Sequence, residues 1–197
     1  MGEIFFKPWK GEKYESNKLF GKRILVLGEA HYEWDKTILL SPDFTIDCIR
    51  EQIEGRSTFK FWTNIAIAFL NKRPSLEEKK EFWESVAFYN YIQQSLGFGP
   101  RLAPSQEMWR NSEPGFVEVL AELLPRVIIV LGYRLWRHLP PVSRLDGPKI
   151  IGSKQTDTWY YPIPNGESCL TYAIQHPSTG FNGTDWYPYV QRVISIA

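Results

Sequence analysis

Three carboxylates, an imidazole and a phenol lie within eight residues of one another in Gly28-Glu29-Ala30-His31-Tyr32-Glu33-Trp34-Asp35. Such groups orient water, move protons near neutral pH and stabilise charge that develops during a reaction. Two more polar groups follow apolar runs in the same way. Asn90 stands between Tyr89 and Tyr91, where an apolar side chain would be cheaper to bury. Its amide offers a donor and an acceptor side by side, suited either to reading the edge of a pyrimidine or to bracing a neighbouring loop. His176 opens His176-Pro177-Ser178 and brings a second imidazole. Glu29, His31, Glu33 and His176 are also capable of holding a metal; the first three alternate, so they share one side only where the chain stays extended.

Positioning these groups requires strands that end where the polar segments begin. Ile24 to Leu27, Val86 to Tyr91 and Val127 to Leu131 are short apolar runs of the kind that form fully buried strands. Cys169 to Gln175 is a fourth, stopped at His176-Pro177. Between them, Ser75 with Glu78 three residues later predicts a capped helix start, and the apolar spacing of Phe116, Val117, Leu120, Leu123 and Leu124 predicts a helix over Glu113 to Leu124. Trp186 to Ile196 reads as a last helix, Gly97 to Ser105 and Leu139 to Lys154 as loops, and 155–164 as an edge hairpin. Alternating strands and helices predict an α/β fold with a largely parallel sheet, whose ligands bind at the carboxyl ends of the strands. Neither a repeat nor a linker divides the chain, so one domain over 1–197 is expected.

Composition narrows the function classes. The 197 residues are 43% hydrophobic and 23% charged, a globular balance that excludes a disordered or collagen-like chain. Lys plus Arg at 23 against Asp plus Glu at 22 leaves a net charge of +1, so no global basicity argues for nucleic acid. A local excess exists over residues 134–154, where Arg134, Arg137, Arg144, Lys149 and Lys154 face only Asp146. It suits phosphates, and equally a solvated helix face. Eight Trp, ten Tyr and twelve Phe are enough either to line a stacking groove or to build an aromatic core. Cys48 and Cys169 are far apart, with no second ligand at metal spacing, so reduced thiols are expected rather than a zinc ribbon, an iron–sulfur cluster or a disulfide scaffold. Without an apolar stretch in Met1 to Lys18 or a run of about 18 apolar residues elsewhere, a cytoplasmic protein with no membrane partner is expected.

Taken in order, Leu27-Gly28-Glu29-Ala30-His31-Tyr32, Asn90, the run from Leu123-Leu124-Pro125 to Leu131-Gly132, and His176-Pro177-Ser178 resemble the motifs of the uracil-DNA glycosylase superfamily. The first resembles both Gly-Gln-Asp-Pro-Tyr-His and the Gly-Glu-Ala-Pro-Gly of the thermostable branch. The likeness spans roughly residues 22–195. It implies a three-layer α/β/α sandwich around a four-stranded, mainly parallel sheet, with DNA across the carboxyl edge. Two departures stand out: Ala30 occupies the place of the water-activating aspartate of the main uracil enzymes, and the four cluster cysteines of the thermostable branch are missing.

The resemblance implies a base-excision glycosylase acting on uracil or another deaminated base, a monomer needing no cofactor and no metal. Glu29 is then the catalytic carboxylate, with Glu33 or Asp35 as substitutes, and His176 the donor to the leaving base. Gly28, Ala30, Tyr32 and Asn90 fall at substrate-binding places, Tyr32 matching the ring that packs against C5 of the base. Phe59 or Phe61, after Gly55-Arg56-Ser57-Thr58, resembles the stretch that supplies a stacking ring, or else belongs to helix core. Ser178, Arg134 and Arg137 fall to DNA, and Phe181 to the wedge that fills the vacated stack. A noncatalytic DNA-binding member of the same fold and a metal-dependent hydrolase are the competing expectations.

Overall fold

All four apolar runs become strands because they are apolar on both sides, and the structure gives each side its own core. The structure is a computed structural model that describes residues 4–33, 40–99, 102–141, 144–164, 166–178 and 180–197. Strands β1 (Trp9–Lys10), β2 (Ile24–Gly28), β3 (Ala87–Asn90), β4 (Val127–Leu131), β5 (Leu145–Asp146), β6 (Thr158–Pro162) and β7 (Ser168–Ile174) form one sheet in the order β1-β3-β2-β4-β7-β6-β5. The middle strands β3, β2, β4 and β7 run parallel, with Gly28 opposite Asn90 and Leu131 opposite Ile174. β1 adds antiparallel to β3, while β6 and β5 extend the other edge antiparallel. The sheet is thus mixed and seven-stranded, wider than the four-stranded one expected. The segment 155–164 does supply a hairpin partner for β7, whereas β1, and β5 inside the expected loop Leu139 to Lys154, are too short to leave a period in the sequence.

Among the described residues six helices cover the sheet: α1 (Phe44–Ile53), α2 (Lys60–Leu70), α3 (Leu76–Ser85), α4 (Gln106–Leu123), α5 (Tyr133–His138) and α6 (Gly183–Ile196). Strand alternation sorts them. Ile24, Val26, Val127, Ile129, Leu170 and Tyr172 face a core with residues of α1, α2, α3 and α6, such as Ile49, Ile65, Phe82 and Val190. Leu25, Leu27, Ile128, Val130 and Ala173 face a second core with Phe116 and Leu120 of α4 and Leu135 of α5. Helices therefore lie on both faces. Ser75 and Glu78 close the expected capping box at α3.

Helix α4 is longer than its apolar face predicts. It starts at Gln106, where the Ser105 hydroxyl accepts a hydrogen bond from the Met108 N–H at 3.2 Å, and it runs through Pro114. Proline removes one ladder hydrogen bond, but the turn ahead of it is held by buried Trp109 and Ser112, so tertiary packing overrides the break. Among the described residues no helix is long and apolar enough to cross a membrane.

Candidate functional site

In an open parallel sheet a crevice forms where two neighbouring strands send their chains in opposite directions. Here β2 leads toward β3 on one side and β4 leads toward β7 on the other, so the crevice lies at the carboxyl ends of β2 and β4. Glu29 follows β2, and Arg134 stands in the first turn of α5 after β4. The two meet across the crevice. Arg134 Nε donates to Glu29 Oε2 at 2.8 Å, and its Nη2 donates to Oε1, a fork-to-fork pair. The Glu29 side chain is only 10% exposed beneath an Arg134 side chain that is 45% exposed. Tyr32 joins the cluster: its hydroxyl donates to the Leu102 carbonyl at 3.3 Å, and desolvation, then the Glu29 carboxylate, raise its pKa, so it stays protonated.

His176 follows β7 onto the same rim. Its ring lies 5.4 Å from that of Phe61 in α2, and its Cβ abuts Gly132, where a Cβ would come within 3.3 Å of it and where φ is +109°. Glycine at 132 thus serves both the turn into α5 and the approach of the imidazole. The chain beyond is tied down by Asn64 of α2, whose amide donates to the Pro177 carbonyl at 3.2 Å. Desolvation lowers the pKa of His176, and Arg134 adds to this while Glu29 opposes it. The imidazole is therefore neutral at pH 7, and it senses both members of the ion pair.

His31 and Asn90 serve each other. The His31 side chain is buried between the rings of Phe6 and Phe44, 4.8 and 4.9 Å away, with Nε2 2.8 Å from the Thr45 hydroxyl. Asn90 points its Nδ2 at the same imidazole from 3.1 Å, and its Oδ1 lies over Gly28, where a Cβ would fall 2.1 Å away. Burial pushes the His31 pKa down to about 4. Asn90 therefore braces the loop after β2, the second of the uses open to it. Backbone bonds complete the brace, since the N–H groups of Tyr91, Ile92 and Leu96 donate to the carbonyls of Gly28, Glu29 and His31.

The other expected site residues divide. The Glu33 N–H donates to the Gly97 carbonyl, bridging its backbone to Phe98, and Asp35 lies outside the described residues. Ala30 packs against the second core, and Phe181 against the first, so the wedge expected of Phe181 is half-buried. Phe61 is the ring beside His176, while Phe59 is 54% exposed at the start of α2. The Ser178 backbone closes a tight turn, donating to the His176 carbonyl and accepting from Phe181.

Much of the basic stretch is spent inside the molecule. Arg134 holds Glu29, Lys149 pairs with Asp157, and the Arg144 guanidinium covers Trp159 at 3.7 Å, itself stacked on Trp136 at 3.6 Å. Exposed Arg137 and Lys154 form no ion pair among the described residues. Arg134, expected at a phosphate, is in the free protein the partner of Glu29, a pairing across 105 residues that no local pattern announces. Metal-ligating side chains do not converge: among the described residues no three of His, Cys, Asp or Glu come together. Glu29 faces Arg134 while His31 is sealed among rings, so the alternating set of the metal-hydrolase expectation is split between crevice and core. Cys48 and buried Cys169 are free thiols, and burial pushes Cys48 up to about 12.

No model of a known protein family matches the chain, and no curated protein matches it.

Proposed function

We propose that the protein is a DNA glycosylase of the uracil-DNA glycosylase type, hydrolysing the bond between deoxyribose and uracil or another deaminated base. The observation that carries this reading is the meeting of Glu29 and His176 on one rim, from strands on either side of β4. The parallel strands β3-β2-β4-β7 between two helical layers also suit the sandwich that the motif order implies.

Cleavage of an N-glycosidic bond leaves its electron pair on the base and a cation-like sugar at C1′, so the protein has two charges to stabilise. The Glu29 carboxylate favours the cation and orients the water whose oxygen bonds to C1′. A neutral His176 imidazole donates its N–H to the base oxygen on which negative charge grows. Because its pKa is lowered, His176 does this as an imidazole and not as an imidazolium.

Release of free base from DNA carrying uracil, hypoxanthine or xanthine, leaving an alkali-labile abasic site, is the test. His176→Ala is expected to slow release by about ten- to a thousand-fold, as loss of an oxyanion-type contact does. Glu29→Gln is expected to keep DNA binding while lowering turnover.

A second reading has its own observation: both Glu29 oxygens are occupied by Arg134, and Ala30 stands where a water-activating aspartate would be. A protein with that pair locked binds DNA without cutting it. DNA binding without release of any of the three bases would establish this reading in place of the first.

A further inference from the structure

We propose that Arg134 is a displaceable cap on Glu29: in the free protein its guanidinium closes the crevice between β2 and β4, and a phosphodiester of a bound DNA strand draws it off and uncovers the carboxylate. The inference rests on the reading that this crevice takes DNA.

The geometry of the pair carries it. Glu29 is nearly enclosed, and the side chain that engages both its oxygens is itself almost half in solvent. The cap has little else to hold it. Among the described residues, beyond Glu29 and the Tyr32 hydroxyl, the one further hydrogen-bond contact of its guanidinium is a marginal one to the Leu102 carbonyl at 3.5 Å. A phosphodiester presents two acceptor oxygens to the same planar fork, so the guanidinium exchanges one bidentate partner for another. Exchange needs only side-chain rotation, because Arg134 sits at the start of a helix on the rim.

Chemically, the capped and uncapped states differ in kind. Under Arg134 the Glu29 charge is compensated and both its oxygens are engaged, leaving little to offer a cationic sugar. Uncapped, it faces the crevice as a net negative charge. Arg134 is then a positioning residue whose ligand-dependent movement couples backbone binding to exposure of Glu29. It would hold the carboxylate silent until a strand is seated.

His176 reports the exchange without any turnover, since it feels Glu29 and Arg134 with opposite sign while Phe61 and Gly132 pack its other sides. The chain has three histidines, His31, His138 and His176, so its imidazole resonances are assignable by substitution. The probe is a thymidine homopolymer of about ten nucleotides, which holds no deaminated base. Binding is followed by anisotropy and the His176 midpoint by NMR, in the wild type, Glu29→Gln and Arg134→Gln.

Phosphate alone raises the midpoint of a nearby imidazole, and Arg134→Gln, which has no guanidinium to withdraw, measures that part; Glu29→Gln lowers the midpoint in free and bound protein alike. On oligonucleotide binding the wild-type midpoint is expected to rise by about half a pH unit more than that of Arg134→Gln. Free Arg134→Gln is expected to show the raised midpoint already, and its oligonucleotide affinity to fall less steeply with salt, by about one in slope. Equal rises in the wild type and Arg134→Gln would overturn the cap while leaving the glycosylase reading intact. An excess rise without base release from uracil-containing DNA would uphold the cap and remove the glycosylase. No binding at low salt would remove both.

Discussion

The two ends of the sheet spend their charges differently. At the amino ends of β2, β4 and β7 lie Arg23, Arg126 and Glu167, around a cavity of about 320 Å³ also bordered by Glu15, Lys22 and Ala197. Its charges are fastened to the frame: Arg126 pairs with Glu167 at 2.7 Å, and Arg23 donates to the Leu124 carbonyl at 2.6 Å. Asn17 nearby spans the Lys22 and Ser85 carbonyls. At the carboxyl ends Glu29, Arg134 and His176 from three different elements influence one another across a crevice. The lesson is that a cavity lined with charges and a set of interacting charges are different things. The amino end ties loops to strand starts, and the carboxyl end holds groups whose charge states depend on each other.

That contrast is best broken at glycine. Gly28→Ala would set a Cβ 2.1 Å from Asn90 Oδ1 and 2.9 Å from Phe88, so it is expected to cost roughly 3 kcal/mol or more in urea unfolding, and to free His31 from its brace. A loss below about 1 kcal/mol would show that the loop after β2 relaxes easily. Next in size is the response to acid. His31 has a folded pKa of about 4 against an ordinary 6.5, so the unfolded chain takes up the proton first. Stability from this source is complete above pH 6.5 and drains away as pH falls toward 4, by about 3 kcal/mol in all. Urea midpoints measured between pH 7 and 4 check it, and His31→Gln is expected to flatten that slope.

The amino end should be more forgiving. Gly21→Ala has open space around its Cβ and meets only a φ of +69°, so a cost of about 1 kcal/mol is expected in the same assay. Glu167→Gln removes ion pairs whose members are 27–42% exposed, and about 0.5 kcal/mol is expected, shrinking further in high salt. A larger loss at Glu167 than at Gly28 would reverse the comparison.

Much of this architecture is legible in the residues, and the reasons are local. β2, β4 and β7 announce themselves because strands buried on both faces need unbroken apolar runs, and the capping box at Ser75 depends on a spacing of three. The rim positions of Glu29 and His176 follow, since each directly succeeds such a run. The partners of these residues do not follow. Arg134 meets Glu29, and Phe6 and Phe44 enclose His31, through tertiary contacts with no period to betray them. For that reason His31 reads as a loop imidazole when it is core, and the pairing of Arg134 with a carboxylate goes unannounced. Asn90 shows the intermediate case: a lone amide at the end of an apolar strand announces a need for partners without saying which.

The outer strands of the sheet bear on how the protein behaves in a crowded solution. Its inner strands, rich in Val, Ile and Leu, are the kind of segment that recruits further chains when an open edge lets one add. Among the described residues β1 and β5 stand at the edges, each two residues long, one carrying Lys10 and the other Asp146. Two residues give a newcomer almost no ladder to extend, and a charge must be accommodated at either side. Concentrated protein is thereby guarded against strand-by-strand growth.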